Sequence, residues 1–401
     1  MTRPLRIMIS AGEASGDRLG AGLARALRRL APGVELLGMG GDEMASSGVR
    51  IVQHLSEVSV VGIVEVLKHL PALRRAMARL TEAIERERPD LVVPVDFPDF
   101  NLRLAGRASR AGLPVVYFVS PSVWAWRRGR LRAIRARIRR MLVLFPFEAR
   151  FYEDAGVPVT FVGHPAVEAA AAAKGSREEI LVRAGLDPGA RILALLPGSR
   201  PGEVDRLFPV MLEAAALLLR DRRDLRVVVP RAATVPRESL EAFARVAGLD
   251  GVRIHDGDYP AILSACAAGA VASGTATLEA ALAGLPMVVV YRLNPATYLL
   301  ARLLVRVPHI ALPNLVLGRG VVPELIQGRC TAEAIAEALR RYLEDPAFSA
   351  RARSALRDVR DRLGLPGVFD RAAAAALAEV RADRSGATDR AKPARRFGSE
   401  S

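Results

Sequence analysis

The 401-residue sequence has few cysteines and no long uninterrupted apolar run. Its two cysteines, Cys266 and Cys330, lie far apart and form neither a metal-binding nor a redox spacing, which predicts free thiols in a reducing compartment. No stretch of 18 or more apolar residues predicts a membrane-spanning helix, and the apolar part of residues 1–13 is too short for a signal peptide. We therefore expect neither disulfides nor a transmembrane anchor.

Metal ligands and nucleotide-loop motifs are also scarce. The five histidines are scattered, so we expect no metal site. We also expect no cofactor. A D-x-D triplet at 256–258 is a match of low specificity, and we discount it. The glycine-containing segment 7–27 follows an apolar run and precedes a helical pattern, as a phosphate-binding turn does. However, it has neither the G-x-G-x-x-G dinucleotide spacing nor a P-loop ending, so another use must explain it.

Positive charge is abundant. The formal net charge is +15 and the sequence pI is about 10.9. Such an excess favours an anionic partner, which is a nucleic acid, a membrane surface or a phosphorylated substrate. An arginine-rich proteome of high GC content gives the same excess, so charge alone does not choose among these alternatives.

Apolar, β-branched segments alternate with helical patterns along the chain. Six such segments lie between residues 5 and 163, and five more lie between residues 191 and 292. Continuous apolar strands separated by helices are typical of parallel sheets that are covered on both faces. The two series therefore predict two doubly wound α/β domains, in which ligands bind beyond the carboxyl ends of the strands.

Composition also predicts the domain boundaries. We expect a first domain over residues 1–165 and a second over residues 166–350. Ala- and Arg-rich helices are expected over residues 351–380, packing across domains or subunits. Residues 381–401 are polar and basic without periodicity, which predicts a disordered tail.

Two predicted strand ends of the second domain have the composition of anion sites. After the strand at 191–197, Gly198 permits close approach of a ligand to the backbone, and Arg200 offers a guanidinium fork beside a helix N-terminus. After the strand at 268–273, Thr275 and Thr277 lie in the first turn of a helix, with Glu279 following. Each turn alone is compatible with an ordinary strand-to-helix connection, but two on one domain favour a phosphate site.

An acidic strand end in the first domain predicts a general base. Asp96 ends a strand, and Asp99 follows in the loop before a helix. A carboxylate placed in this way takes a proton from a hydroxyl nucleophile, which contributes about 10²–10⁴-fold to a rate. The alternative is that either acid only caps the helix. We assign Asp96 as the base, because it lies nearer the strand end, and Asp99 as the cap.

Two further segments suggest contact with charged or apolar partners. The region 127–140 is dense in arginine, and Leu131, Ile134, Ile138 and Met141 recur at helical spacing, which predicts an amphipathic helix with an arginine face. That face is either simply solvated or in contact with phosphates of nucleic acid or lipid headgroups. For an earlier apolar segment, which begins at residue 60, core packing and acyl-chain or membrane contact are equally good explanations. Its candidate contact residues are Val60, Val61, Ile63, Val64, Val66, Leu67 and Leu70.

Taken together, these motifs resemble those of the lipid-A-disaccharide synthase family over nearly the whole chain to about residue 380. A chance match of so many ordered motifs is very improbable. The matching segments are AGEASGD (11–17), GIVEVL (62–67), DFPDFN (96–101), YFVSPSVWAWR (117–127), FPFE (145–148), GHP (163–165), LLPGSR (195–200), SGTATLEAAL (273–282), YR (291–292) and LPNL (312–315).

The resemblance implies a GT-B fold, with two Rossmann-like domains facing across a cleft, and an inverting, metal-independent glycosyltransferase. It implies that UDP-2,3-diacylglucosamine donates its sugar to the 6-hydroxyl of 2,3-diacylglucosamine 1-phosphate (lipid X), giving a β-1,6 disaccharide 1-phosphate and UDP. The family further implies a cytoplasmic enzyme peripheral to the inner face of the inner membrane of a Gram-negative bacterium, with a homodimer as its assembly.

The resemblance also assigns residues. Asp96 is similar to the family's catalytic acid, used here as a base, and the opening loop is expected to lie near the acceptor and the donor sugar. That acceptor side comprises Glu13, Ser15, Gly16, Asp17, Ser120 and Ser122. The UDP-sugar side comprises Gly198, Ser199, Arg200, Ser273, Gly274, Thr275, Thr277, Glu279 and Asn314, with Glu279 as the ribose-binding acid.

Two other functions compete with this interpretation. A UDP-N-acetylglucosamine 2-epimerase shares the fold and the sugar nucleotide but has no use for an acyl-binding apolar helix. A nucleic-acid-binding protein would use the arginine-rich segment and the tryptophans, and it predicts steep salt dependence. That second function leaves Asp96 and the two anion turns unexplained, so we expect no nucleic acid partner.

Overall fold

The computed structural model divides the chain into two compact units, Met1–Gly163 with Gly367–Ser401 and His164–Pro366. The first boundary lies two residues from the expected position at 165. For residues 63–69, 128 and 384–390 only the backbone is described. The structure describes residues 3–58, 63–124, 128–172, 175–249, 251–294, 297–299, 302 and 307–390.

Strands and helices alternate in both units. The strands are β1 (Arg6–Ala11), β2 (Glu35–Gly40), β3 (Val49–His54), β4 (Leu91–Val95), β5 (Val116–Phe118), β6 (Arg140–Val143), β7 (Val159–Phe161), β8 (Arg191–Leu196), β9 (Leu225–Pro230), β10 (Arg253–His255), β11 (Ala268–Ala272), β12 (Met287–Tyr291) and β13 (Glu324–Ile326). The helices are α1 (Ala14–Leu30), α2 (Asp42–Ser46), α3 (Ile63–Glu87), α4 (Pro98–Arg110), α5 (Leu131–Arg137), α6 (Pro146–Asp154), α7 (Ala166–Ala172), α8 (Arg177–Arg183), α9 (Pro201–Arg220), α10 (Arg237–Val246), α11 (Tyr259–Ala265), α12 (Thr275–Leu282), α13 (Leu312–Leu317), α14 (Ala332–Glu344), α15 (Pro346–Arg362) and α16 (Val368–Arg390).

The first unit contains a seven-stranded sheet in the order β3-β2-β1-β4-β5-β6-β7, and the paired strands run parallel. Alternation along β1 sends Ile7 and Ile9 to one face and Met8 to the other. One face packs against α1 and α16, and the opposite face packs against α3, α4 and α6. Each fully buried aliphatic side chain contributes about 1.5–3 kcal/mol to folding, so both layers stabilise this unit.

The second unit contains a six-stranded parallel sheet in the order β10-β9-β8-β11-β12-β13. Its strands β8 and β11 are almost completely buried, which explains their continuous apolar sequence. Leu193 and Leu195 face a core formed largely by α9 and α14. Two doubly wound parallel-sheet domains are therefore confirmed as the fold.

The glycines that suggested a phosphate loop have a packing function. Gly20 and Gly22 lie inside α1 rather than in the loop before it. A β-carbon at Gly20 would lie 2.5 Å from the Met44 sulfur, and one at Gly22 would lie 2.5 Å from the Phe369 ring. Gly20 and Gly22 thus bring α1 close to α2 and to α16, respectively, and their spacing needs no nucleotide.

The C-terminal helices belong to different units. The helix α15 lies in the second unit, whereas α16 lies in the first and packs along α1. Ala372, Ala373 and Ala376 are fully buried in this contact, so the alanine-rich composition reflects close helix packing. The helix continues to Arg390, past the expected end at residue 380, and the last eleven residues lie outside the described part of the chain.

We expected the arginine-rich segment to form one continuous amphipathic helix, and the structure shows that it does not. The helix α5 ends at Arg137, Ile138 is extended, and Met141 lies in β6, paired with Tyr117 of β5. The sheet hydrogen bonds override the helical spacing. Several arginines of this segment are bound within the first unit: Arg130 pairs with Asp99, Arg139 with Asp383 at 2.7 Å, and Arg140 with Glu379 at 2.5 Å.

Candidate active site

The strand order reverses between β1 and β4 in the first unit, which is where an open parallel sheet binds its ligands. The carboxyl end of β1 leads to Gly12 and Glu13, and that of β4 leads to Asp96. Because β1 and β4 are adjacent and parallel, these two acids lie at the same edge of the sheet. Glu13 acts electrostatically on Asp96, consistent with this placement.

The turn after β4 is strained. Asp96 and Phe97 both adopt left-handed backbone conformations, with φ of 47° and 49°, which non-glycine residues rarely do. Strain of this kind costs of order 1–3 kcal/mol per residue and persists only where surrounding contacts fix it. Here Asn101 donates from its amide nitrogen to the Asp96 carbonyl at 2.8 Å, and the Tyr117 hydroxyl donates to the same oxygen at 2.7 Å.

The Asp96 side chain is partly buried. Burial, together with the nearby charge of Glu13, raises the pKa of Asp96 from 3.8 to about 6, against a hydrogen bond from the Phe97 amide. A carboxylate with this pKa is mostly ionised at neutral pH and is a stronger base than an ordinary aspartate. Its position and its pKa therefore both suit the predicted proton acceptor.

Asp99 does not occupy the cap position that we predicted. The helix α4 begins at Pro98 with Phe97 as its N-cap residue, and Asp99 lies in the first turn. There its carboxylate interacts favourably with the positive N-terminal end of the helix dipole and pairs with Arg130. The left-handed turn at Asp96 and Phe97 is the reason, because it starts the helix two residues earlier than a cap at Asp99 would.

The opening loop contains exposed and buried residues with different functions. Glu13 and Ser15 are exposed, and Gly16 is buried behind them. Asp17 is 4% exposed, and its carboxylate accepts hydrogen bonds from the backbone amides of Gly41, Glu43 and Met44 at 2.7 to 3.2 Å. Asp17 thus fixes the start of α2.

The two serines after β5 also differ. Ser122 is exposed, whereas Ser120 is 8% exposed and lies 2.8 Å from the Tyr152 hydroxyl. Val119 before them has φ of 67°, an unfavourable conformation for a β-branched residue. Glu148 is buried close to Ser120, and burial raises the pKa of this carboxyl to about 8. The strand end at β5 is therefore strained and desolvated, like the one at β4.

In the second unit the strand order reverses between β8 and β11. The turn Pro197–Arg200 follows β8, and the turn Ser273–Gly274 follows β11, so both candidate anion turns lie on adjacent strands at one edge. The sequence predicted each turn separately, and the sheet brings them side by side. This is the switch point at which the fold binds ligands.

The turn after β8 is open to solvent. Gly198 has φ of 119°, and a β-carbon there would lie 2.6 Å from Glu203 Oε2, so the turn requires glycine. The Ser199 amide donates to Glu203 Oε2 at 3.3 Å, and Thr234 Oγ1 donates to the Ser199 carbonyl at 2.6 Å. The Arg200 side chain is 82% exposed and pairs weakly with Glu203 at 3.6 Å.

The turn after β11 leads directly into the N-terminus of a helix, α12. Gly274 is the N-cap residue of α12, so Thr275 lies one position inside the helix. Gly274 and Thr275 are exposed, whereas Thr277 is fully buried and its hydroxyl donates to the Gly274 carbonyl at 2.7 Å. The Thr277 hydroxyl therefore fixes the shape of the turn. Glu279 is partly buried and acts electrostatically on Tyr259.

Asn314 is 1% exposed and lies in α13. Its side-chain amide bonds to Val321, Val322 and Glu324 within the same unit. The family resemblance grouped Asn314 with the sugar-nucleotide turns, and the structure shows that its side-chain amide is bound to protein partners. Its environment therefore differs from that of the exposed turns.

The apolar segment is only partly described. Val60 and Val61 lie outside the described residues, and the side chains of Ile63, Val64, Val66 and Leu67 do as well. Leu70 is 38% exposed. Within the described part of the chain, no helix is both long enough and apolar enough to cross a bilayer.

Both carboxylates of the D-x-D triplet are bound to other groups of the protein. Asp256 pairs with Arg231 and Arg237, and hydrogen bonds from these arginines lower the pKa of its carboxyl. Asp258 accepts from the Ala261 amide at 3.2 Å and caps α11. Among the described residues there is no group of three or more His, Cys, Asp or Glu side chains that would hold a metal ion.

The sequence analysis assigned no role to Glu203 or to Tyr291, which lie at the turn after β8. Tyr291 ends β12, and burial, followed by the charge of Glu203, raises the pKa of its hydroxyl. The YR and GSR segments are thus neighbours in space although they are about ninety residues apart in the chain. The acid three positions after Arg200 was the available signal, because an N3 glutamate commonly reaches back to the helix start.

Known structures share the fold at low sequence identity. A putative UDP-N-acetylglucosamine 2-epimerase from Listeria monocytogenes is 14% identical, with a TM-score of 0.65 and coverage of 96% of this chain and 98% of that one. The calicheamicin glycosyltransferase CalG4 is 19% identical, with a TM-score of 0.58 and coverage of 98% and 100%. These likenesses establish the GT-B fold alone.

Sequence relatives are more specific. The lipid-A-disaccharide synthetase family model matches residues 7–375. A lipid-A-disaccharide synthase of Geobacter sulfurreducens is 45% identical over 372 residues, covering 93% of this chain and 96% of the relative. One from Myxococcus xanthus is 46% identical over 380 residues, covering 94% and 98%. The chain therefore belongs to the lipid-A-disaccharide synthase family of glycosyltransferases.

Proposed function

We propose that the protein transfers 2,3-diacylglucosamine from UDP-2,3-diacylglucosamine to the 6-hydroxyl of 2,3-diacylglucosamine 1-phosphate, with inversion. The products are the β-1,6-linked disaccharide 1-phosphate and UDP. Family membership supports a sugar nucleotide and a lipid as the two substrates. The observation that carries the catalytic assignment is the strained, partly buried Asp96 at the switch point of the first unit.

In this reaction Asp96 accepts the proton of the attacking hydroxyl. The hydroxyl oxygen forms a bond to the anomeric carbon as the bond from that carbon to the UDP oxygen breaks. The raised pKa of Asp96 supports this assignment, because proton transfer is most efficient when the base has a pKa near the working pH. Glu13, Ser15 and Ser122 are the exposed polar groups of this unit that we assign to the acceptor sugar.

The second unit is assigned to the sugar nucleotide. Negative charge develops on the diphosphate as UDP leaves, and Arg200 together with the N-terminus of α12 at Gly274 and Thr275 would stabilise it. Ser199 and Ser273 flank these groups, and Thr277 holds the second turn. We assign Glu279 to the ribose hydroxyls.

We also propose peripheral binding to the anionic inner face of the inner membrane. The net charge of +15 and the exposed Leu70 support this assignment, because basic and apolar groups together favour an anionic lipid surface. The apolar segment from Val60 to Leu70 would take up acyl chains. The resemblance to the family supports a homodimer, which sedimentation of the purified protein would test.

The test is a synthase assay with purified protein, UDP-2,3-diacylglucosamine, lipid X, detergent and a chelator, with Asp96→Ala in parallel. Disaccharide from the wild type and almost none from the folded variant supports both the reaction and the base. Activity that survives in the variant moves the base to Asp99 or Glu13. No product from folded wild-type protein contradicts the proposed substrates, and 2-epimerase activity would then be assayed.

A further inference from the structure

Asn314 uses all the hydrogen-bonding capacity of its side-chain amide inside the protein. Its Nδ2 donates to the Val322 carbonyl at 3.0 Å and to Glu324 Oε1 at 2.7 Å. Its Oδ1 accepts from the Val321 amide at 2.7 Å and from the Val322 amide at 3.0 Å. An asparagine amide has two N–H donors and two acceptor sites, so none is left for a substrate.

Glu324 is the second member of this cluster. It lies at the start of β13, with only 13% of its side chain exposed. Besides Asn314, its carboxylate accepts from the Ile310 amide at 3.1 Å and from the Ala311 amide at 3.1 Å. His309 Nδ1 lies 3.6 Å from Oε1 of the same carboxylate. A partly buried carboxylate with this many donors fixes the backbone around it strongly, because charge-assisted hydrogen bonds are about twice as strong as neutral ones.

The segment held by Glu324 is connected to the turn after β11. Ser273 Oγ donates to the Ile310 carbonyl at 3.1 Å, while the Ile310 amide donates to Glu324. Residue 310 is therefore held from both sides, by Ser273 and by Glu324. The Ser273 amide in turn donates to the Val290 carbonyl at 3.1 Å, which fixes the start of the turn against β12. Glu324 and Ser273 are therefore linked through a single residue, Ile310.

We propose that Glu324 and Asn314 are positioning residues for the sugar-nucleotide site. They hold residues 309–311, and through Ser273 they fix the turn at Gly274, without touching the substrate themselves. This inference rests on the proposed function, because that function assigns the turn to the sugar nucleotide. It replaces the expectation that Asn314 contacts the nucleotide, and it adds Glu324 to the residues on which the site depends.

The inference is tested by turning the Asn314 amide into a carboxylate and the Glu324 carboxylate into an amide, first singly and then together. Asn314→Asp places a second carboxylate against Glu324 and removes both N–H donors, so the pair repels. We expect the KM for UDP-2,3-diacylglucosamine to rise about 10- to 100-fold, the range given by loss of a hydrogen bond to a charged group. Adding Glu324→Gln restores an N–H donor facing the introduced carboxylate, and the double variant should recover most of this loss.

The recovery is expected to be incomplete, because the Ala311 amide then faces an N–H group instead of an oxygen. Glu238→Gln is the matched control, since Glu238 is an exposed acid of the same unit. It should leave the KM unchanged. If Asn314 contacts the nucleotide directly, Glu324→Gln will add its own loss to that of Asn314→Asp, and the proposal is wrong.

Amide hydrogen exchange of residues 309–311 gives a readout that does not depend on activity. Exchange should accelerate at least about tenfold in Asn314→Asp and in Glu324→Gln, and slow again in the double variant. Wild-type protein that makes no disaccharide would contradict the proposed function, while the exchange data would still report on the pair. Unchanged exchange in all variants, with folded protein by circular dichroism, would overturn the positioning role.

Discussion

The two switch points of this enzyme are built in opposite ways. In the first unit, Asp96 lies in a strained turn, partly buried, with its carbonyl fixed by Asn101 and Tyr117. In the second, Arg200 lies on a glycine turn with 82% of its side chain exposed. A base must keep a raised pKa, which requires burial and fixed geometry, whereas a diphosphate site must admit a large hydrated anion. The same sheet topology thus supports a closed group, Asp96, which we propose as the base, and an open group, Arg200, which we propose for the diphosphate.

The largest expected effect concerns the closed group. Asp96→Asn keeps the shape of the side chain but removes the base, so kcat should fall about 10²–10⁴-fold while the KM for either substrate changes little. Initial rates of disaccharide formation by the folded variant measure this. Asp99→Asn is the control, because Asp99 is exposed and pairs with Arg130, and its kcat should stay within about threefold. A similar loss in both variants would contradict the assignment.

The open group should show its effect in binding. Arg200→Ala removes an exposed guanidinium that we assign to a phosphate, and charge-assisted hydrogen bonds contribute about 1.5–3 kcal/mol. The KM for the sugar nucleotide should therefore rise about 10- to 150-fold, with weaker binding of UDP in calorimetry. Arg245→Ala, at an exposed arginine of the same unit, should have no effect. Equal UDP affinity in both variants would place the diphosphate elsewhere.

A smaller effect is expected in the pH dependence of the first unit. Burial and the charge of Glu13 raise the pKa of Asp96 to about 6, and only ionised Asp96 accepts a proton. Wild-type kcat/KM should therefore rise through an apparent pKa near 6 and level off above it. Glu13→Gln removes the repulsion, so its acidic limb should move to lower pH. Glu153→Gln, at an exposed acid of the same unit, is the control. If the acidic limb does not move in Glu13→Gln, burial without the charge of Glu13 raises the pKa of Asp96.

The last effect concerns stability, not activity, near β5. Burial raises the pKa of Glu148 from 4.5 to about 8, so the folded state keeps its proton where the unfolded state has lost it. The contribution of this group to stability is complete below pH 4.5 and is lost as pH rises through 8. The free energy of unfolding of the wild type should therefore fall between about pH 5 and 8 relative to Glu148→Gln. Denaturant unfolding measures this free energy at each pH. If it changes with pH in the same way for the wild type and for Glu148→Gln, then Glu148 is ionised in the folded state.

Strand ends could be read from the sequence because local signals mark them. Asp96 and the Gly198–Arg200 turn each follow a buried apolar strand, and the structure places both at switch points. The two strands that we missed, β3 and β13, lie at sheet edges. The first carries the polar residues Arg50, Gln53 and His54, and the second has three residues, so neither gives a continuous apolar signal.

Contacts between distant segments could not be predicted. Glu324 meets the amides of Ile310 and Ala311 only because β13 pairs with β12, and nothing in its local sequence indicates this. The glycines of α1 suggested a phosphate loop for a related reason. Gly22 packs against Phe369, which lies near the other end of the chain, and the local sequence does not show this contact. The arginine segment misled because β-pairing overrode its helical spacing. Tertiary partners decide all three outcomes.

The position of α16 has a consequence for biosynthesis. Val368, Ala376 and Val380 complete one core of the first unit, yet they follow the whole of the second unit in the sequence. At synthesis rates of about 5–20 residues per second, the nascent first unit waits on the order of ten seconds or more for its last helix. Until then the apolar groove along α1 is uncovered on the ribosome. The second unit, by contrast, is contiguous and can close as soon as residue 366 emerges, so the unit that is translated first is the one that finishes folding last.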